Sequence, residues 1–418
     1  MRVEYLLARR TAQSDKNSRA SVMMRIASLS VAIGIGVMII TLAVIGGFRH
    51  EIRSDLRGFA ADIEVIDLSS QGGDEGEPIT LDKAFIEQMA ALNDIQGISW
   101  YAQRGGMAKS GDNVCGLQLK GVGAEYDLSW WREKLTKGSM PAVEGDERRK
   151  ELLLSETTAR ELGLDVGDKI ELLFTSGDER PRRDRFKVAG LYTTGFEEMD
   201  RVVALADIRD VQRLASWSEE QISGYDIRLK NENLGEWVAA QIEQMIFDGY
   251  DAGNDQMASL TTQTIASRNP VVFDWLKAHD VNATVIIVIM MTVLLLNMTS
   301  AMLIMVLDRT GMIGLLKAQG MRNSAVRKIF LWRAALLFLK GAAWGNGIAL
   351  LLVGVQWLWQ PITLDPSGYM LSALPVRVEL WWLVLLNAGV LAATLVMMLL
   401  PSFIVARIHP DQTLKYKQ

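Results

Sequence analysis

Residues Val281–Leu307 read VNATVIIVIMMTVLLLNMTSAMLIMVL, and none of them is charged. A helix rising 1.5 Å per residue over that run outlasts the roughly 30 Å of hydrocarbon in a bilayer. Soluble helices of such length keep a charged face. The run therefore predicts a membrane span. Three more uncharged stretches of spanning length flank it in the chain: Ile26–Phe48, Gly341–Leu364 and Leu380–Ala406. The predicted fold class is an α-helical membrane protein with four transmembrane helices and a large extracytoplasmic α+β domain between the first and second.

Neither proline nor glycine interrupts Val271 to Leu307. As one helix this stretch reaches about 55 Å, well beyond the bilayer. The second span is therefore expected to project outward as a stalk from about residue 271, with Val272, Trp275 and Leu276 at helical spacing. Arg49 to Arg57 would extend the first span beside it. The competing reading is a separate surface helix broken near His279, although no breaker residue marks such a break.

Lys and Arg next to short loops stay in the cytoplasm. Arg2, Arg9, Arg10, Lys16, Arg19 and Arg25 precede the first span, and Arg309, Lys317, Arg322, Arg327, Lys328 and Arg333 lie between the second and third. The loop before the fourth span holds Arg377 alone. Both termini are thus expected inside. The expected order is a cytoplasmic segment 1–25, span 26–48, periplasmic domain 49–280, span 281–307, cytoplasmic loop 308–333, span 334–360, short periplasmic loop 361–379, span 380–406 and cytoplasmic tail 407–418. The first apolar run is too long for a signal-peptide core and is read as an uncleaved anchor.

Segment 49–280 carries 27 Lys and Arg against 43 Asp and Glu. An acidic domain without a basic stripe argues against nucleic acid as a partner. The single cysteine, Cys115, excludes an internal disulfide framework, so stability must come from a core. Alternating segments predict strands at Asp62–Leu68, Gly116–Lys120, Lys169–Phe174, Arg185–Leu191, Val202–Leu205 and Gly224–Lys230. Helices are expected at Leu81–Asn93, from the N-cap Ser155 to Gly163, at Asp207–Ala215 and at Glu236–Phe247, with a turn at Gly167-Asp168. The mixture suggests two small sheet-and-helix lobes.

Chemistry-bearing motifs are scarce. No Gly-Lys dipeptide occurs, so there is no P-loop, and Gly121-Val-Gly123 lacks the rest of a dinucleotide fingerprint. The three histidines, His50, His279 and His409, form neither a metal-ligand cluster nor a nucleophilic triad by spacing. Glu197, Glu198 and Asp200, or Glu219 and Glu220, read as solvated surface in so acidic a domain. No catalytic residue, metal site or cofactor is expected in this chain. What remains is Asp308-Arg-Thr-Gly-Met-Ile-Gly-Leu-Leu-Lys-Ala-Gln-Gly320-Met-Arg, an amphipathic segment on the cytoplasmic side with Met312, Ile313, Leu315 and Leu316 able to pack on lipid or protein.

That segment resembles the coupling helix of FtsX/MacB-type ABC permeases, in which acidic, basic and Thr residues precede an Ile-Gly-apolar-Leu-basic-Ala-x-Gly run. The likeness extends along the chain through Gly46-Gly-Phe-Arg49, Leu119-Lys-Gly-Val122, Leu162-Gly-Leu-Asp-Val-Gly-Asp168, Val188-Ala-Gly-Leu-Tyr-Thr-Thr-Gly195 and Phe273-Asp-Trp-Leu276. Leu374-Pro-Val376 and Ala406-Arg-Ile-His-Pro410 complete it. In order and spacing these are most similar to lipoprotein-releasing permeases of the LolC/LolE type.

The resemblance implies a permease that lifts acylated lipoproteins from the outer leaflet of the inner membrane and passes them to a periplasmic carrier. It implies a cytoplasmic ATPase dimer, which would hold the ATP and Mg, docked on Asp308, Arg309, Ile313, Gly314, Leu315, Leu316, Lys317, Gly320 and Met321. A second permease subunit, a copy or a sister, is also implied. The cargo cavity is expected at Val44, Phe48, Val272, Trp275 and Leu276. Two departures stand out: Met312 replaces the family's acidic residue, and the loop Thr175–Arg185 is shorter than the carrier-recruiting hook. Arg180, Pro181, Arg182 and Arg183 are the candidate carrier contact, with plain surface as the other reading. Gly341 and Gly345 form a small-xxx-small pair on the third span. A force-transmitting MacB/FtsX-like permease without lipid cargo and a membrane-tethered receptor are the alternatives.

Overall fold

The computed structural model describes residues 19–71, 76–143, 145, 148–174, 182–195, 197–364, 371 and 373–399. They divide into two compact units, one of residues 19–50, 275–363 and 373–399 and the other of residues 51–274 with 364 and 371. In chain order the first unit opens with helix α1 (Arg19–Phe59), whose last turns belong to the second. The second unit follows with β1 (Ile63–Asp67), β2 (Ile79–Thr80), α2 (Lys83–Ala90), β3 (Ile95–Ser110), β4 (Asn113–Val122), β5 (Leu135–Gly138) and β6 (Glu151–Ser155). It continues through α3 (Glu156–Leu162), β7 (Lys169–Phe174), β8 (Arg182–Tyr192), β9 (Val203–Asp207), α4 (Ile208–Leu214), β10 (Gln221–Ile222), β11 (Gly224–Leu229), α5 (Gly235–Asp251) and β12 (Leu260–Thr264). Helices α6 (Pro270–Asp308), α7 (Thr310–Ala318), α8 (Asn323–Trp359) and α9 (Leu380–Met397) follow among the described residues.

The strands of the second unit form one main sheet in the order β12-β1-β11-β3-β4-β9-β6-β8-β5, with β7 paired to β3 and β8. Strand β3 is its hub. Its first half, Ile95–Tyr101, pairs with β11 and its second half, Tyr101–Ser110, with β4. No strand is predicted over this stretch because Gly105-Gly106 interrupts the alternation. Gly106 is required by the crossing of β7: a Cβ there would lie 2.7 Å from the Leu173 carbonyl oxygen and the Phe174 ring.

Successive side chains of a strand face opposite sides, and here both sides are buried. Leu152 and Leu154 of β6, with Ala204 and Ala206 of β9, join a core covered by the helices. Leu153, Val203 and Leu205 join a second cluster around Trp131 and Tyr192. This double burial explains why Glu-Leu-Leu-Leu-Ser, a continuous apolar run rather than an alternating one, is a strand. The predicted caps hold: Ser155 accepts from the Thr158 amide, and Gly163 ends α3 at φ 68°. Gly167 also takes a positive φ, 96°, at its turn.

The last turns of α1 are rooted in this second unit from several sides. Arg57 pairs with Asp62 at 2.6 Å, Asp55 with Lys134 at 2.7 Å, and the Phe59 ring lies 5.6 Å from that of Trp131. Gly58 leaves room for Trp130, whose ring atoms would sit 2.2 Å from an added Cβ.

In the first unit, α1, α6, α8 and α9 are each long and apolar enough to cross a membrane. Residues 323–333, which belong to the expected cytoplasmic loop, are helical and form the opening turns of α8. Charge alone does not end a helix, and Asn323–Arg333 contains no Gly or Pro to do so. The described part of the fourth span ends at Met397, and the expected remainder from residue 400 lies outside the described residues.

Small residues let these helices approach closely. A Cβ on Gly341 would meet the Ser28 oxygen at 2.6 Å, and one on Gly345 the Ala32 oxygen at 2.5 Å, so the predicted glycine pair packs on α1. Asn297 of α6 donates to Ser30 of α1 at 2.6 Å, and Asn346 and Asn387 join α8 to α9 by reciprocal amide bonds of 2.9 and 3.0 Å.

Candidate functional site

The nine-residue helix α7 has two faces. Ile313 and Gly314 are buried, Ile313 within the cluster formed by Met305 and Val306 of α6 and Val326 and Phe330 of α8. Met312 and Met321 pack against the same cluster. Gly311, Leu315 and Ala318 lie one helical turn apart and are exposed, Leu315 by 53%. Leu316 and Lys317 are half-buried, and burial lowers the Lys317 pKa. Asp308 is exposed and its carboxylate lies 3.9 Å from Arg309 Nε; Gly320, also exposed, turns the chain at φ 85°. The residues expected to dock an ATPase thus separate. Leu315, Gly320 and Asp308 are outward, whereas Ile313, Gly314 and Met321 seat the helix on the bundle. Met312 faces the bundle as well, so its apolar side chain suits its place and leaves the exposed stripe unchanged.

At the other end of the bundle, Phe48 of α1 meets Trp275 of α6 edge to face, with ring centroids 5.9 Å apart. Trp275 stacks on His279 at 3.9 Å, and Arg49 pairs with Asp280 at 2.5 Å. Leu276 is buried and Val44 half-buried. Val272 is also buried but belongs to the second unit.

Three residues here were missed as a set. Gly47 sits against the segment before α9, where an added Cβ would lie 2.4 Å from the Pro375 oxygen. The Arg377 amide donates to the Ala43 carbonyl at 2.9 Å. Gln356, buried at the end of α8, donates to the carbonyls of Ile362 and Leu374 at 3.1 and 3.0 Å and accepts from the Ile362 amide. Gly46-Gly-Phe-Arg49 and Leu374-Pro-Val376, read separately in the sequence, are one packed contact.

Arg180 and Pro181 lie outside the described residues. Arg182 and Arg183 are exposed at the start of β8, and Arg182 donates to the Arg213 carbonyl at 3.2 Å. Arg213 lines a cleft of about 520 Å³ with Arg148, Arg209 and Trp217. Arg209 is clamped on Asp207 at 2.5 Å, Arg148 reaches Asp210 at 3.4 Å, and the Arg104 guanidinium lies 4.6 Å over the Trp217 ring. This cleft, which Glu219 also lines, gathers side chains far apart in sequence, so no local pattern announces it.

Residues 26–245 match the MacB-like periplasmic core domain, and residues 284–410 match the FtsX-like permease C-terminal domain. The chain belongs to the MacB/FtsX permease family, LolC/LolE type. It is 24% identical to the lipoprotein-releasing system transmembrane protein LolC of Xylella fastidiosa, over 99% of this chain and 98% of that one. It is 23% identical to the corresponding LolE of Haemophilus influenzae over 96% of each. The periplasmic region of MacB from Actinobacillus actinomycetemcomitans aligns at a TM-score of 0.33 and 12% identity, over 52% of this chain and 95% of that one. As a LolC/LolE-type permease the protein is a multi-pass membrane protein and a non-catalytic transport subunit.

Proposed function

We propose that this permease extracts acylated lipoproteins from the outer leaflet of the inner membrane and hands them to a periplasmic carrier. The observation that carries the reading is the near full-length match to lipoprotein-releasing proteins, which runs through both structural units rather than through one shared domain. Burial of acyl chains is worth about 0.8 kcal/mol per CH₂, or roughly 30 kcal/mol for three chains of ordinary length. Passage through water would forfeit that, so the cargo needs a continuous apolar surface. Phe48, Trp275 and Leu276, with Val44 and Val272, are the residues proposed to supply it.

In this reading both termini and α7 are cytoplasmic, the sheet unit is periplasmic, and ATP and Mg are held by a separate ATPase dimer docked on the exposed stripe Gly311, Leu315 and Ala318. Its closure moves α7, and α1 and α6, each continuous from the bundle into the sheet unit's sequence, carry the movement outward. A second permease subunit completes the cargo path. Arg182 and Arg183, extended by Arg213, Arg209 and Arg148, are the proposed contact for an acidic carrier surface. Depletion of the protein tests the function: lipoproteins destined for the outer membrane should accumulate in the inner membrane. Unchanged lipoprotein distribution would overturn it.

A further inference from the structure

Four of the chain's twelve tryptophans crowd the facing ends of two spans. Trp357 and Trp359 close α8, Trp381 and Trp382 open α9, and each is more than half exposed. An indole in water leaves a large apolar ring unburied, and one sunk in hydrocarbon leaves its N–H without an acceptor. Both needs are met at the level of the lipid headgroups, where tryptophan collects in membrane proteins.

Their place along the helices suits that level. On α8 the exposed Lys340 is the last charge before Trp357. The helix rises about 26 Å between the two. A lysine stem can carry its ammonium some way toward water, so Lys340 and Trp357 bracket roughly 30 Å of hydrocarbon. The start of α9 is held at the same end of the bundle: Gln356, next to Trp357, donates to the Leu374 carbonyl at 3.0 Å, and the Arg377 amide donates to the Ala43 carbonyl of α1 at 2.9 Å.

The other two long helices differ here. Residues 43–49 of α1 and 280–286 of α6 contain no tryptophan, and Arg49 and Asp280 pair across them at 2.5 Å. The directions of the four indoles also narrow the choice of partner. Trp357 and Trp359 leave α8 about 200° apart, and Trp381 and Trp382 leave α9 about 100° apart. A protein docks on one side of a helix, whereas a bilayer surrounds it.

We propose that Trp357, Trp359, Trp381 and Trp382 form a lipid-anchoring surface: their rings lie in the headgroup layer and fix the depth of α8 and α9, while α1 and α6, without such anchors at this end, are left to move. This rests on reading the four helices as spans and α1 and α6 as the moving pair, and not on the identity of the cargo.

The test uses the full permease with its ATPase in nanodiscs of phosphatidylethanolamine and phosphatidylglycerol. In a Cys115→Ser background, single spin labels replace each of the four tryptophans in turn, with labels at the exposed Trp344 position and at Asp112, exposed in the turn between β3 and β4, for comparison. The ratio of collisions with oxygen to collisions with a water-soluble nickel chelate reports depth. It should fall several-fold from position 344 to the four sites, and again from them to position 112. A non-hydrolysable ATP analogue should leave it unchanged at positions 357 and 381. Four sites as open to nickel as position 112 would place the rings in water, and sites shielded from both reagents would place them under a protein partner; either result overturns the proposal, as does a change with the nucleotide analogue. Leucine at all four positions should shift the depth of a label at 344, and tyrosine at all four should preserve it; no shift with leucine would overturn the anchoring role. Because no lipoprotein is present, failure here is separate from failure of the release function, which the depletion test reads.

Discussion

The sheet unit and the helical bundle are held together in opposite ways. In the sheet unit both faces of β6 and β9 are sealed, and even its charges are internal: Lys120 and Asp226 pair at 2.7 Å with the Tyr101 ring 4.4 Å from the ammonium. In the bundle the most apolar windows of α1, α6, α8 and α9 are only 39, 22, 33 and 11% buried. Apolar surface is therefore the interior of one unit and the exterior of the other. The sheet unit gains stability by removing such surface from water. The bundle relies on close backbone approach and on a few polar side chains, leaving its remaining apolar surface for lipid and for the partner helices of the proposed assembly.

The largest effect that would sharpen this contrast lies in the sheet unit. Asp226→Leu strands a buried ammonium, and breaking such a pair costs about 3–5 kcal/mol. Adding Lys120→Met should return most of the loss, read as thermal unfolding of the full chain in nanodiscs by tryptophan fluorescence. Equal losses in the single and double variants would mean that the pair is not what matters there. In the bundle, Gly345→Leu overpacks the contact with Ala32, at about 1–3 kcal/mol, and should reduce accumulation in the membrane. Gly354→Leu, with nothing within 4 Å of its added Cβ, should not. If both glycines tolerate leucine, close approach is not what holds the helices.

Smaller changes probe exposed and strained places. Leu315→Asp on the open face of α7 should alter stability by no more than about 0.5 kcal/mol, as surface changes do, yet abolish co-purification of the ATPase. Retained ATPase would remove Leu315 from the docking surface. Asp210 offers the mildest test. Burial first, and then Asp207, raise its pKa above the ordinary value of 3.8. A raised folded pKa means that its contribution is fully present below the ordinary value and is lost as pH rises through the folded one. Asp210→Asn should therefore stabilise the sheet unit at pH 7, with the gain shrinking as pH falls toward the ordinary carboxylate range. A gain independent of pH would assign the effect to packing.

Much of the fold was legible because its signals are local. An uncharged run marks each candidate span, Ser155 and Gly163 cap α3 as their chemistry requires, and Lys169–Phe174 is a strand over the residues predicted. What escaped depends on partners distant in sequence. Strand β3 is interrupted by glycines that only its neighbour β7 explains, and β12, Leu-Thr-Thr-Gln-Thr, lacks an apolar alternation of its own. The candidate site divides in the same way. The segment Asp308–Met321 was visible as an amphipathic pattern, but which of its residues face outward depended on the packing of Ile313 and Met312. The contact of Gly47 with Pro375 joins motifs more than 300 residues apart.

The central claim, that the outer ends of α1 and α6 receive acylated cargo, is tested most directly by a photo-crosslinking amino acid at position 48. With the complex intact in membranes, it should capture a mature lipoprotein and fail to capture a variant of that lipoprotein that cannot be acylated. The same probe at the exposed Trp344 position should capture neither. Equal capture of the acylated and unacylated forms at position 48, or capture of neither, would contradict the account.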